Sequence, residues 1–259
     1  MNIIDTIILG IVEGFTEFLP ISSTAHLLIT GNILGIPETE FFKTFAIAIQ
    51  LGAILAVVII YWKKIISNWN LSKKILTAFI PTAIIGFFLY SIIKDFLFEN
   101  LKTIALALII GGIFIIIFEL FQNRKKVVAK ETQTIEDISY GKSFLIGVIQ
   151  ALAIIPGVSR SGATIIGGML SGISRETIVE FSFLLAIPTI ASATGYDLLK
   201  TGINFSNTDL IYLLVGFLSS FIFAWIGVKF LIKFIKNNSF LFFGFYRIIL
   251  GVFILFFLL

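Results

Sequence analysis

The chain has 259 residues, of which 58% are hydrophobic and only 13% charged, and its mean hydropathy is +1.06. Repeated apolar runs of about 20 residues match the hydrocarbon thickness of a bilayer and exclude a water-soluble globule. With no cysteine, disulfides, thiolate metal sites and a cysteine-phosphate intermediate are excluded; the net charge of +4 sits in short basic clusters between apolar runs, a topology signal rather than a nucleic-acid surface.

The first apolar region, 3–36, is interrupted at Pro20 and the "SST" that follows. The first 42 residues of the chain contain no Lys or Arg, so the basic start expected of a removable targeting segment is not seen. Each half, about 12–17 residues, is short for a span, and the pattern predicts a helix–loop–helix hairpin that dips into the membrane and returns. Spans are then predicted over 43–62, 74–93 and 101–121, followed by the polar stretch "FQNRKKVVAKETQTIEDISYGK". A second interrupted region, 143–172, breaks at "PGVSRSG" and predicts a second hairpin; further spans follow over 176–199, 208–231 and 240–258. The expectation is an all-α polytopic membrane protein with six transmembrane helices and two re-entrant hairpins, forming one integral membrane domain over 1–259.

Connections 63–74, 122–142 and 229–239 are rich in Lys and Arg, whereas the alternate ones carry only Lys43, Lys94, Lys102 and Lys200. The richer set is expected to be cytoplasmic, which puts the first hairpin on the outer side and the second on the inner side. The two hairpins also resemble each other. "GIVEGFTEFLPISSTAHLLI" lies over "GVIQALAIIPGVSRSGATII", with Glu13 opposite Gln150 and Pro20 opposite Pro156, and "FAIAIQLGAIL" lies over "FSFLLAIPTIA". An odd number of spans separates the halves, which predicts an inverted-topology repeat: one repeat over about 1–121, a second over about 143–259, and a cytoplasmic linker over about 122–142.

The reactive side chains concentrate in these two interruptions. Glu13 and Glu17 are four apart and share a helix face deep in an apolar segment, where two carboxylates need a cation, an arginine or a proton between them. His26 is the chain's single histidine and a candidate for proton transfer or nucleophilic attack. Ser22, Ser23 and Thr24 are suited to cap the helix after Pro20, and Ser159 and Ser161 the helix after Pro156 and Gly157. Two such helix N-termini meeting near the midplane form an anion site, to which Arg160 adds a fork of donors. Ser161 and Thr164 either bind phosphate or simply cap and back-bond their helix. Glu119, Glu180, Asp197 and Arg247 fall near predicted span ends and are expected at the interface; Gly111-Gly112 and Gly167-Gly168 are expected to serve close helix packing.

The motifs "EGFTEFLPISSTAH" at 13–26 and "PGVSRSGAT" at 156–164 resemble those of the undecaprenyl pyrophosphate phosphatase family, also called the bacitracin-resistance family. The resemblance covers the whole chain, with no departure at a motif position. It implies a bacterial plasma-membrane enzyme that hydrolyses undecaprenyl pyrophosphate to the monophosphate, recycling the carrier lipid for envelope polymers, with a divalent cation, Mg2+ or Ca2+. It implies functional positions at Glu13, Glu17, Ser23, His26 and Arg160, with Ser22, Thr24, Ser159, Ser161 and Thr164 in the same loops. The expected arrangement has Glu13 and Glu17 holding the metal, Arg160 and loop N–H groups stabilising charge, and Ser23, His26 or an activated water attacking phosphorus. The implied partners are a polyprenyl pyrophosphate substrate and membrane lipid, with no nucleic acid; a homodimer is compatible with the resemblance. The alternative function is a transporter or flippase of an anionic lipid or solute, since broken helices in inverted repeats also serve carriers. An ion channel would need a ring of filter residues, which the sequence lacks.

Overall fold

A computed structural model describes residues 1–97, 101–125, 134–201 and 205–258. Residues 126–133 of the expected linker, which include Lys126 and Lys130, lie outside the described residues. These residues form an all-helical protein with no strand among them: α1 Ile3–Thr16, α2 Ser23–Ile33, α3 Glu40–Ala48, α4 Gln50–Ser67, α5 Trp69–Leu97, α6 Leu101–Lys125, α7 Tyr140–Gln150, α8 Arg160–Leu170, α9 Arg175–Thr201, α10 Asn207–Ile235 and α11 Leu241–Phe257.

Local chemistry sets many of the boundaries. Asn2 and Asp5 close a capping box at the start of α1, and Ser206 and Asp209 do the same for α10. Thr39 and Ser139 cap α3 and α7 through their side chains. Pro81 and Pro188 sit inside α5 and α9, where each removes one helical N–H.

Among the described residues, five helical stretches are long and apolar enough to cross a membrane: 40–67, 69–89, 101–122, 175–200 and 207–235. The sixth expected span is α11, apolar but only 17 residues long, or about 25 Å, a few ångströms less than a typical hydrocarbon core. Helices α1, α2, α7 and α8 have 14, 11, 11 and 11 residues, each too short to span alone.

Helix α1 packs on α10, α7 on α5, α4 on both α9 and α10, α9 on α5, and α6 on α11. Small residues allow the close approaches: a Cβ at Gly147 would run into the Ala78 carbonyl of α5, and one at Gly14 into the Ser220 carbonyl of α10. The expected glycine pairs behave this way too, Gly112 lying against the Gly244 carbonyl and Gly168 against Ile178. The exterior is studded with exposed Phe87, Phe88, Phe114, Phe121, Ile249 and Phe256, while Glu13, Glu17, Glu119, Ser161, Thr164 and Arg247 are buried. That inversion of the water-soluble pattern is what hydrocarbon as solvent demands.

Three residues expected at the interface are instead buried in the protein. Arg247 has no exposed surface. Glu119, equally buried, receives two hydrogen bonds from Arg175 Nη2 at 2.8 and 2.9 Å and one from the Phe240 N–H at 2.8 Å, which ties α6 to α9 and to the start of α11. Asp197 is also buried, at 2% exposure, whereas Glu180 remains partly exposed and pairs with Lys64 at 2.8 Å.

Candidate active site

The loops 17–22 and 155–159 meet in the interior because α1–α2 and α7–α8 enter it from separate parts of the chain. Both loops turn through a non-glycine residue of positive φ, Ser22 at 71° and Ser159 at 74°, the only two such residues among those described. Backbone of this kind is held by its surroundings and clusters at functional sites.

Arg160, the first residue of α8, reaches across to the other hairpin. Its Nη2 donates to Glu17 Oε1 at 2.8 Å and its Nη1 to the Ser182 carbonyl at 3.0 Å. The guanidinium lies 5.7 Å from the centre of the Phe18 ring, and its Nε–H, although buried, has no acceptor among the described residues. The second oxygen of Glu17 accepts the Ser23 hydroxyl at 2.5 Å. A serine oxygen, a carboxylate and a guanidinium thus form one continuous chain. Glu13, one helical turn before Glu17 and beside its carboxyl, is fully buried and receives no N–H or hydroxyl donor from the other described residues.

A cavity of about 510 Å³ opens on this cluster, with Glu17, Ser22, Ser23, Thr24, Ser159 and Arg160 on its wall. Much of the remaining wall is apolar, including Leu27, Leu28, Ile47, Phe79, Phe87 and Ile190. Gln150, which the sequence comparison of the two halves set opposite Glu13, also lines it, donating to Thr82 Oγ1 at 2.8 Å.

The other expected site residues are placed differently. Ser159 caps α8 by accepting the Gly162 N–H at 3.1 Å, but Ser22, at the equivalent position before α2, makes no side-chain cap. Ser161 gives its hydroxyl to the Leu19 carbonyl at 2.7 Å and so ties the second hairpin to the first loop. Thr164 bonds the carbonyls of Arg160 and Ser161 and the Ser182 hydroxyl. Both hydroxyls serve the protein itself, and neither lines the cavity. Glu13 and His26 are not on its wall either. His26 lies behind the loop, its Nδ1 at 2.7 Å from the Ser22 carbonyl and its Nε2 at 2.7 Å from Tyr246 Oη.

Sequence reasoning missed Arg247. From α11 its guanidinium donates to the carbonyls of Pro20 (3.2 Å), Gly157 (2.8 Å) and Val158 (3.0 Å) in the two loops, and to Ala107 (3.1 Å) and Leu108 (3.4 Å) of α6. Gly111 leaves room for it, since a Cβ there would collide with Nη2. The available signal was an arginine well inside the apolar run 240–258, the kind of residue that marks a functional interior.

The Bacitracin resistance protein BacA family matches residues 6–253 of the chain. A protein named undecaprenyl-diphosphatase from Sulfurihydrogenibium sp. (strain YO3AOP1) is 52% identical over 97% of this chain and 98% of its own. Proteins of the same name from Aquifex aeolicus (strain VF5) and Persephonella marina (strain DSM 14350 / EX-H1) are 50% identical over 95% of this chain and 94% of theirs, and 49% identical over the full length of both. With its two hairpin motifs meeting at one cavity and near-complete coverage by these relatives, the chain belongs to the BacA bacitracin-resistance family.

Proposed function

We propose that this protein hydrolyses undecaprenyl pyrophosphate to undecaprenyl phosphate and inorganic phosphate, at the cavity between the two hairpins. The observation that carries the reading is the Ser23 hydroxyl held at 2.5 Å on Glu17, itself paired with Arg160, on the wall of a cavity whose remaining lining is largely apolar. A pyrophosphate on a prenyl chain needs that combination of an anion cradle and an apolar slot. Ser23 Oγ attacks the terminal phosphorus while its proton passes to Glu17; the bond from phosphorus to the bridging oxygen breaks, and the lipid monophosphate leaves. Water then releases phosphate from the serine. The free Nε–H of Arg160 is a donor available to a phosphate oxygen in a place where charge is poorly screened.

A divalent cation fits the donor set. Glu13 offers two buried oxygens beside the Glu17 carboxyl that no N–H or hydroxyl of the described residues occupies, and a hard ion such as Mg2+ is commonly held by one or two carboxylates together with substrate phosphates. Glu13 and Glu17 would hold it, and when bound it supplies neutralisation of phosphate charge. A carrier of an anionic lipid would need the cradle but not a serine hydrogen-bonded to a carboxylate. Phosphate release from undecaprenyl pyrophosphate by the purified protein, abolished by chelator and restored by Mg2+ or Ca2+, tests the activity. Trapping and mapping a phosphorylated residue during turnover tests Ser23; a turnover that never labels the protein would replace it with an activated water.

The architecture behind this reading has six spans, with α11 as the sixth, two re-entrant hairpins and an inverted repeat, set in a bacterial plasma membrane. Exchanging α1, α2, α3–α4, α5 and α6 for α7, α8, α9, α10 and α11 turns the α1–α10 contact into α7–α5 and the α4–α10 contact into α9–α5. The same exchange returns α4–α9 and α6–α11 to themselves and sets Ser22 against Ser159, with their matching φ values. These correspondences support a pseudo-two-fold relation between halves of opposite orientation. Cysteine-accessibility labelling at Thr24 and at the 63–74 connection from each face tests the orientation.

A further inference from the structure

His26 has two partners, and together they define its state. The Ser22 carbonyl can only accept, so Nδ1 at 2.7 Å carries the proton; in the neutral ring Nε2 is then an acceptor, and Tyr246 Oη at 2.7 Å donates to it. The two rings lie nearly parallel, with an interplanar angle of 4° and centroids 5.6 Å apart.

What this arrangement holds is the first loop. Ser22 and Ser159 share the same sparsely populated backbone conformation, but they are secured differently. Ser159 is tied down by its own side chain, which caps the Gly162 N–H at 3.1 Å. Ser22 has no such cap, and its carbonyl receives the His26 backbone N–H only at a long 3.4 Å. The imidazole supplies the missing restraint. In the second hairpin the residue equivalent to His26, four after the positive-φ serine, is Ala163, where no ring is needed. Ser22 immediately precedes Ser23, so the torsions of Ser22 set where the Ser23 hydroxyl meets Glu17. Neither His26 nor Tyr246 lies on the cavity wall, whereas Ser22 and Ser23 do.

We infer that Tyr246 is a positioning residue that, by fixing the Nδ1–H tautomer and plane of His26, makes the imidazole a strap on the Ser22 carbonyl and so aims Ser23. This rests on Ser23 being the nucleophile. When the ring takes up a proton at Nε2, the same hydroxyl accepts the reversed bond, so the strap survives in both states.

Because His26 is the only histidine, nitrogen NMR of protein labelled with 15N-histidine reads this state as a single imidazole. The expected wild-type signal is an Nδ1–H ring with a hydrogen-bonded, unprotonated Nε2, and Tyr246→Phe should remove the Nε2 hydrogen-bond shift and mix the tautomers. Tyr246→Phe should also lower kcat about tenfold with KM within about twofold, the scale of one hydrogen bond. In a His26→Ala background the same substitution should change nothing further. An Nε2–H tautomer in the wild type, a Tyr246→Phe spectrum identical to wild type, or an effect additive with His26→Ala would each overturn the inference. The wild-type spectrum decides even if a variant fails to fold. A phosphoryl group trapped on another residue, with the imidazole signature intact, would remove the nucleophile reading and leave the strap standing; loss of the signature removes the strap whichever residue is phosphorylated.

Discussion

Replacing Arg247 with methionine should weaken the whole protein and disable its site. Three of its five acceptors, Pro20, Gly157 and Val158, are loop carbonyls, whereas Ala107 and Leu108 lie within α6, where helical N–H groups serve them. Stranding three buried carbonyls costs about 1–3 kcal/mol each. Against this stands the desolvation of a fully buried guanidinium, itself several kcal/mol, which the methionine no longer incurs. The net expectation is a loss of roughly 2–4 kcal/mol, read as a fall in thermal midpoint in detergent. Activity should fall further than stability alone explains. With the loops no longer tied to one point, the Ser23–Glu17–Arg160 chain loses registry, and misplacement of about 1 Å is enough for a hundredfold loss. Arg247→Lys, which keeps the charge but reaches fewer carbonyls, should fall between. Phosphate release under saturating substrate from the folded variants is the assay. An Arg247→Met protein with wild-type midpoint and kcat within about threefold would refute the argument that this residue holds the loops together.

Arg160→Ala breaks a largely buried ion pair, with side-chain exposures of 12% and 7%, and should lower kcat/KM by roughly a hundredfold or more; near wild-type turnover in a folded variant would remove the phosphate-clamp role. Glu13→Gln should raise the Mg2+ or Ca2+ concentration needed for half-maximal activity, measured by metal titration after chelation, and an unchanged titration would exclude Glu13 as a metal ligand. Glu119→Ala strands the Phe240 N–H and Arg175, and should cost about 2 kcal/mol of stability with kcat preserved, since the site lies elsewhere; a thermal midpoint equal to wild type would contradict it. Asp137, in the connection before α7, accepts the Thr134 backbone N–H and hydroxyl, which holds its carboxyl below the usual range. Its contribution is therefore present above the unfolded value, about pH 4, and lost as pH falls through the folded one. The protection factor of the Thr134 amide, its observed exchange measured against the intrinsic rate at the same pH, should fall on acidification, and Asp137→Asn should abolish that fall.

The apolar runs, the two interruptions and the Ser159 cap were legible in the sequence because each is a local property, whereas the side-chain cap expected from Ser22, Ser23 or Thr24 at the start of α2 does not form. Hydrocarbon thickness sets the run length, a serine or asparagine at a helix start satisfies nearby N–H groups, and proline followed by polar residues breaks a helix wherever it occurs. Glu17 and Arg160 stood out by the same local logic, since charged groups deep in apolar segments need a reason to be there, whereas Ser23 was set apart from Ser22 and Thr24 only by the family resemblance. What the sequence alone left open were the roles within the cluster. Ser161 and Thr164 carry the same hydroxyls as Ser23, yet the fold turns theirs toward the Leu19 carbonyl and the Ser182 hydroxyl. His26 meets Tyr246, 220 residues away, and Arg247 reaches two loops 90 and 227 residues distant. Such contacts leave no periodicity or spacing to read, because they arise only when α11 packs on α6 beneath both hairpins. Local chemistry determined which groups must be buried and satisfied; the tertiary structure alone decided which of them satisfy one another and which are left for a substrate.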